Sequence, residues 1–261
     1  MKAELKTITP EWAEKILKEK NTGNRSMNQR HVESLAKEIK NGSWKVNGDT
    51  ICLNGSRLID GQHRLAAVVL SKITIQSFVI QGVPSDVFDT KDVGKRRSAG
   101  DTLGVRGEIN ATRLAAALIV IDKYMTGRME VSVGYSNTEI EALLNKHPDA
   151  RKSLRTSNAT KGLITPSVLD ACYYLFAQKD EDLAEEFVEK VLLGTGLQEG
   201  DPWYVLRERL VGNSLSKAKI SRPYMMALCI KAWNYARAGK TIRCLSWREK
   251  GEKSEPYPVV R

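Results

Sequence analysis

The chain has 261 residues, 41% of them hydrophobic, and carries 41 Lys and Arg against 31 Asp and Glu, for a formal net charge of +10. That length and balance fit a globular protein with one large or two ordinary cores. No apolar run approaches the roughly 20 residues that would span a bilayer, and the opening MKAELKTITPEW lacks the apolar stretch of a secretory signal. Cys52, Cys172, Cys229 and Cys244 are far apart, with no Cys-x-x-Cys spacing. They read as thiols of a reducing cytoplasm, with no zinc site and no disulfide framework. The expectation is a cytoplasmic protein without a membrane partner.

The charge is segregated. Residues 1–107 hold 18 basic and 12 acidic side chains, residues 108–212 hold 12 and 16, and residues 213–261 hold 11 and 3. Positive charge at the two ends of the sequence and a mildly acidic middle point to a polyanion, DNA or another nucleic acid, as partner.

In chain order, Lys6-Thr7-Ile8 predicts a first strand, and Pro10 opens a helix to about Lys20. Asn21–Asn24 is a polar loop. Asn28 caps a helix to Lys40 whose apolar positions Val32, Leu35, Ala36 and Ile39 recur at helical spacing, with Asn41-Gly42 as its stop. His31 reads as an exposed polar residue, and with His63 and His147 scattered no metal constellation assembles. Trp44 reads as a core or lid aromatic that could also stack on a base.

Ile51-Cys52-Leu53, Asn54-Gly55 and Leu58-Ile59 predict a hairpin. It leads into Asp60-Gly61-Gln62-His63-Arg64, which opens an apolar helix through Leu70. A helix N-terminus is a ready anion site, and Gly61 has no side chain to block a close approach. Arg64 offers a fork suited to phosphate, and His63 can donate, accept or move a proton near neutral pH. Equally open on spacing alone is Asp60 as a simple helix cap with His63 and Arg64 in water.

Ile73–Ile80 alternates as a half-buried strand would, and Gly82-Val83-Pro84 ends it; a short helix or turn follows at Ser85–Asp89. Lys95-Arg96-Arg97 suits a phosphodiester backbone or a polyphosphate, and Ser98-x-x-Asp101 has helix-cap spacing. Asp92 and Asp101 could join a metal to such phosphates, with capping and turn roles as the simpler reading. From Glu108 the pattern is helix upon helix: Ala111–Met125, Asn137–Lys146, Asp149–Ser157, Pro166–Ala177, Asp180–Leu193, a helix from Pro202 to near Gly212, and a long one from Ser221 to Ala238. Arg128–Gly134 reads as a ribbon or an ordered loop. The aromatics of the last helix read as core. Thr241–Leu245 reads as a closing strand, and Arg248–Arg261 as a mobile or loosely docked tail.

Residues 24 to about 103 resemble the ParB/sulfiredoxin-like superfamily. Asn24-Arg25 is similar to its Asn-x-Arg segment, the Asn28–Asn41 helix with Gly42 to the helix that follows, and Asp60-Gly61-Gln62-His63-Arg64 to its strand-to-helix nucleotide turn. The pentad equals the one that names the DGQHR domain of bacterial proteins tied to DNA phosphorothioation, and phage ParB-like proteins are similar. The resemblance implies an α+β domain over residues 1–107, followed by a mainly helical domain over 108–261 with a basic C-terminal segment. It implies nucleotide or phosphate binding by Arg25, Gly61, Gln62, His63 and Arg64, with a nucleoside triphosphate and Mg²⁺ as the cofactor. Gln62 stands where sulfiredoxins have cysteine, which excludes their reductase chemistry. Gln62-His63-Arg64 also replaces the Glu-Arg-Arg of partition ParB.

Two functions follow as expectations. One is a nucleic-acid-associated protein that binds a nucleotide or a DNA phosphate at the pentad, with Lys95, Arg96 and Arg97 extending toward DNA. The alternative is an enzyme (a phosphotransferase, NTPase or nuclease) in which Asp60 and His63 are catalytic.

Overall fold

The computed structural model describes residues 1–261 apart from residue 25, residues 85–97, residue 133, residues 155–161 and residues 218, 250 and 253. The chain is α+β and divides into two compact units, Met1–Arg96 and Arg97–Arg261. The described strands all lie in the first. No helix among the described residues is long and apolar enough to cross a membrane.

The first unit runs β1 (Lys2–Ile8), α1 (Pro10–Lys20), α2 (Gln29–Lys40), β2 (Thr50–Asn54), β3 (Arg57–Asp60), α3 (Gln62–Ser71) and β4 (Ile75–Gln81). Its sheet has four strands in the order β1-β4-β2-β3, with β4 and β2 parallel and the other two pairs antiparallel. Alternation works as expected on β4, where Ile75, Ser77 and Val79 are buried while Gln76 and Phe78 are exposed. The buried set joins Ile8, Ile51, Leu53 and Leu58 from the other strands with Ala13 and Ile16 of α1, Val32, Ala36 and Ile39 of α2, and Leu65, Ala67 and Val68 of α3 in one core. β1 is longer than the three residues expected, because it pairs with β4 along its whole length from Lys2↔Gln81 to Ile8↔Ile75.

The hairpin loop is Gly55-Ser56, one residue later than the expected dipeptide, with Asn54 paired opposite Arg57. Gly55 at φ +44° supplies the positive first position that such a loop requires. Register shifts between Cys52, opposite Asp60, and Leu53, opposite Leu58, so Ile59 is an extra residue in β3.

The second unit begins with α4 (Ala99–Val105), earlier than the boundary expected at residue 107. It belongs with α5 (Ala111–Met125) because the two approach at Gly100, where an added Cβ would lie 2.5 Å from Thr112 Oγ1. There follow α6 (Asn137–Lys146), a 3₁₀ turn (Pro148–Ser153), α7 (Pro166–Ala177), α8 (Glu181–Leu193), α9 (Pro202–Leu215) and α10 (Arg222–Arg237). Most start signals are the ones read from sequence: Ser98 forms a capping box with Asp101, and Asn28, Asp180, Asp201 and Ser221 cap their helices through side-chain oxygens. At α6 a further capping box is made by Ser136 and Glu139. Pro166 and Pro202 open theirs. The expected helix at Asp149–Ser157 is instead the 3₁₀ turn, its later residues lying outside those described. Arg128–Gly134 holds turns and no strand among its described residues.

The core of this unit is aromatic. Trp233 stacks on Phe176 with centroids 4.3 Å apart, Phe176 meets Phe187 edge-on, and Phe187 touches Trp203. Each such pair contributes about 0.5–1.5 kcal/mol beyond area burial. A charged pair is also buried here: Arg113 Nε and Nη2 each donate at 2.6 Å to Asp170, whose side chain is wholly enclosed. Satisfied on both oxygens, Asp170 fixes α5 against α7.

One expectation at the C-terminus does not hold: Thr241–Leu245 forms no strand. Of the two readings of the tail, mobile or loosely docked, its described residues fit the docked one. Trp247 and Val260 are buried, Tyr257 Oη donates to Pro223 O at 2.7 Å, and Lys231 Nζ donates to Ser246 O and Glu255 Oε2, both at 2.6 Å. Asn234 holds the last turn of chain through Val259 O and the Arg261 amide. The segment is pinned by single anchors, with no periodic pattern to announce it.

His147, the residue between α6 and the 3₁₀ turn, is only 5% exposed. Its Nδ1 lies 2.9 Å from Tyr174 Oη, and its Nε2 is buried with no hydrogen-bond partner. Burial pushes its pKa below the usual 6.5, Lys146 adds in the same sense, and Asp122 opposes. The folded form therefore binds fewer protons than the unfolded chain below pH ~6.5, and stability falls as pH drops through that range. His147→Gln keeps a hydrogen-bonding group and removes the titration. Melting temperature should fall from pH 7 to 5 less steeply in this variant than in the wild type; parallel curves would assign the titration to another group.

Candidate functional site

The site is built where β3 turns into α3. Gly61 is the N-cap of α3 at φ +106°, and a Cβ there would lie 3.1 Å from Ile51 Cγ1 and 3.2 Å from Ile51 Cα. Both the dihedral and the approach to β2 require glycine. Asp60 is therefore the last residue of β3 and does not cap the helix through the N-cap position. No side chain at the N-cap satisfies the first-turn amides of α3.

Asp60 and Arg64 face each other across the turn. Asp60 Oδ1 accepts from the Gly61 amide at 2.6 Å, and Oδ2 accepts from Arg64 Nη2 at 2.9 Å. The same Nη2 donates to Thr50 O at 2.5 Å, Nη1 lies 3.7 Å from Asp49 Oδ2, and Nε is buried without a hydrogen-bond partner among the described residues. The guanidinium expected to present an open fork to phosphate is thus turned onto protein oxygens of β2 and β3. Its charge neutralises Asp60 beside the helix end.

His63 is turned the other way. It is buried, and its Nε2 accepts the backbone N–H of Asn28, the N-cap of α2, at 3.1 Å. Accepting that bond requires Nε2 to carry no proton, so a neutral ring holds its hydrogen on Nδ1. Asp60 and His63, paired in the enzymatic expectation, therefore address different neighbours. Gln62 is buried beside them.

The His63 bond brings two helix N-termini within one side chain's reach. At the start of α2, Asn28 Oδ1 accepts from the His31 amide, and the amides of Gln29 and Arg30 make no hydrogen bond among the described residues. Neither helix has an acidic residue in its first turn. The residues there are Gln29, Arg30 and His31 in α2 and Gln62, His63 and Arg64 in α3. A cation near a helix N-terminus is disfavoured by about 0.3–1 kcal/mol. The start of α2 thus leaves positive potential that an anion would relieve, whereas at α3 the Asp60 carboxylate already accepts from the Gly61 amide.

Sequence reasoning did not place His31 here. Its ring centroid is 5.2 Å from that of His63, tilted by 48°. Its position in the first turn after the Asn28 cap was the available signal. The loop before α2 is also tied to the site: Asn24 Nδ2 donates to Leu58 O at 2.8 Å and to Asn21 Oδ1 at 2.7 Å. Arg57 donates to Thr22 O and Gly23 O, at 3.0 and 2.8 Å, and Lys20 Nζ to Gly55 O at 2.6 Å. Arg25, Asp92, Lys95, Arg96 and Arg97 lie outside the described residues. Asp101 serves the Ser98 capping box. Trp44 Nε1 donates to Gln76 O at 3.1 Å while its ring packs on the first core.

Among the described residues no group of three or more His, Cys, Asp or Glu side chains is arranged to hold a metal. The donors at the turn suit phosphate oxygens, so an Mg²⁺ ion arriving with a nucleotide would keep phosphate and water ligands. No family model, no curated protein and no solved structure matches this chain.

Gly61→Ala tests the turn itself. It should destabilise the first unit by about 1–3 kcal/mol, read as a lowered denaturation midpoint by circular dichroism. An unchanged midpoint would mean that the Ile51 contact relaxes freely.

Proposed function

We propose that this chain is a nucleic-acid-associated protein whose first unit, of ParB/sulfiredoxin type, binds a nucleotide or a DNA phosphate at the Asp60–Arg64 turn. The observation that carries the reading is the open start of α2, whose Gln29 and Arg30 amides make no hydrogen bond among the described residues and whose Asn28 amide joins it to α3 through His63. Amides at the start of α2, with the adjacent His31 imidazole, supply donors and positive potential for phosphate oxygens. Arg64 holds Asp60 neutralised, so the carboxylate does not repel the ligand. The sequence resemblance through Asn24-Arg25 and the pentad supports the same assignment, with Arg25 and the Lys95–Arg97 run as further phosphate contacts. The net charge of +10 favours nucleic acid as the wider partner.

Thermal unfolding with ATP, ADP, CTP, GTP or inorganic phosphate, with and without Mg²⁺, tests it. A ligand at 100 times its Kd adds about 2.7 kcal/mol to folding stability, so at least one nucleotide should raise the melting temperature by several degrees. His31→Glu places an acid in the first turn of α2, which suits the free helix and competes with the ligand. That variant should match or exceed the wild type unliganded, and lose the ligand shift. An absent wild-type shift, or one of equal size in the variant, would sink the proposal.

A further inference from the structure

We infer that the α9–α10 helical hairpin of the second unit carries a surface for the phosphodiester backbone of duplex DNA. The inference deepens the nucleic-acid part of the proposed function and takes its class of partner from it.

From Arg209 to Arg248 the sequence runs for 40 residues with nine Lys and Arg and no Asp or Glu. In the fold this stretch is the end of α9, the connecting loop, all of α10 and the coil after it. Four earlier arginines of the same unit are neutralised: Arg106 pairs with Glu141, Arg113 with Asp170, Arg128 with Asp122 and Arg151 with Glu108. Among the described residues only Lys231 of the stretch has a carboxylate partner, Glu255 from the docked tail. Lys217, Arg222, Arg237, Lys240, Arg243 and Arg248 are exposed and make no ion pair among the described residues. Ordinary solubility would intersperse the two signs, as the earlier helices do.

The hairpin holds these cations on a rigid frame. At one end Lys219 Nζ donates to Asn213 O and Ser214 O, at 3.0 and 2.6 Å, and the Ile220 amide donates to Asn213 Oδ1 at 2.8 Å. At the other end the Ile242 amide donates to Gly200 O at 2.9 Å. Arg222 and Arg237 begin and end α10, 15 residues apart. At 1.5 Å and 100° per residue they stand about 22 Å apart along the axis and about 60° apart around it. Two cation groups so spaced meet several phosphates of one duplex, which carries a charge about every 1.7 Å of axis. An anionic membrane is the poorer fit. The apolar residues of α10 (Met226, Leu228, Ile230 and Trp233 among them) are wholly buried in the core, so the helix has no apolar stripe to insert.

The test measures anisotropy of a labelled 20-base-pair duplex against the full chain over a range of salt. The wild type is compared with Arg222→Gln/Arg237→Gln/Lys240→Gln/Arg243→Gln, and with a charge-keeping control, Arg222→Lys/Arg237→Lys/Lys240→Arg/Arg243→Lys. Each lost phosphate contact lowers the slope of log affinity against log salt by about one unit. The Gln variant should lose about three to four units of slope and at least tenfold in affinity, while the control keeps both. Equal binding by the Gln variant and the wild type overturns the inference, as does a wild type that binds no duplex, or one that binds phosphatidylserine vesicles and not DNA. The nucleotide-induced melting shift is followed in parallel. Its absence beside a hairpin-dependent DNA slope would remove the turn's proposed ligand and leave this surface standing.

Discussion

The chain reversal at Gly61 is the constraint on which the first unit depends. β3 must leave the sheet and α3 must start at once, with Ile51 of β2 in van der Waals contact across the junction. A backbone at φ +106° with no Cβ accomplishes this. It sets Asp60 and Arg64 four residues apart on the same side, so that their pair closes the turn. It also aims His63 away from the sheet toward α2, where the Asn28 amide fixes the ring. One unsubstituted carbon thereby determines the direction of three side chains, Asp60, His63 and Arg64.

The same reversal explains why the site has the polarity it has. Arg64 looks like a ligand group in one dimension, but its guanidinium lies against Thr50 O and Asp60 Oδ2. The Gln29 and Arg30 amides at the start of α2 stay without a hydrogen bond among the described residues, held in place by the helix. The second unit uses charge in a different manner. Arg113 and Asp170 are sealed between α5 and α7, a pair whose value lies in fixing the relative placement of those helices, since its desolvation cost is large.

Local features were legible in the sequence and long-range ones were not. Asn28, Ser98 and Asp180 announced helix starts because a cap needs only the next three residues. The alternation on β4 and the hairpin at Gly55 were equally local, and the hairpin was misplaced by only one position. His31 against His63, and Arg64 against Asp49 and Thr50, join residues from separate elements, so no periodicity reports them. The tail from Arg248 is legible only as mobile or loosely docked for a similar reason. Its anchors among the described residues, Tyr257 and Val260, are isolated in a polar segment, so no periodic pattern decides between the two.

The extra residue at Ile59 also bears on self-association. β3 is an edge of the sheet, four residues long, and its irregular spacing breaks the even row of donors and acceptors that another chain would need for continuous pairing. The opposite edge, β1, carries Lys2, Glu4 and Lys6 along its length. Neither border of the sheet is a good template for a foreign strand, so the hairpin that leads into the Gly61 turn also guards against cross-β aggregation.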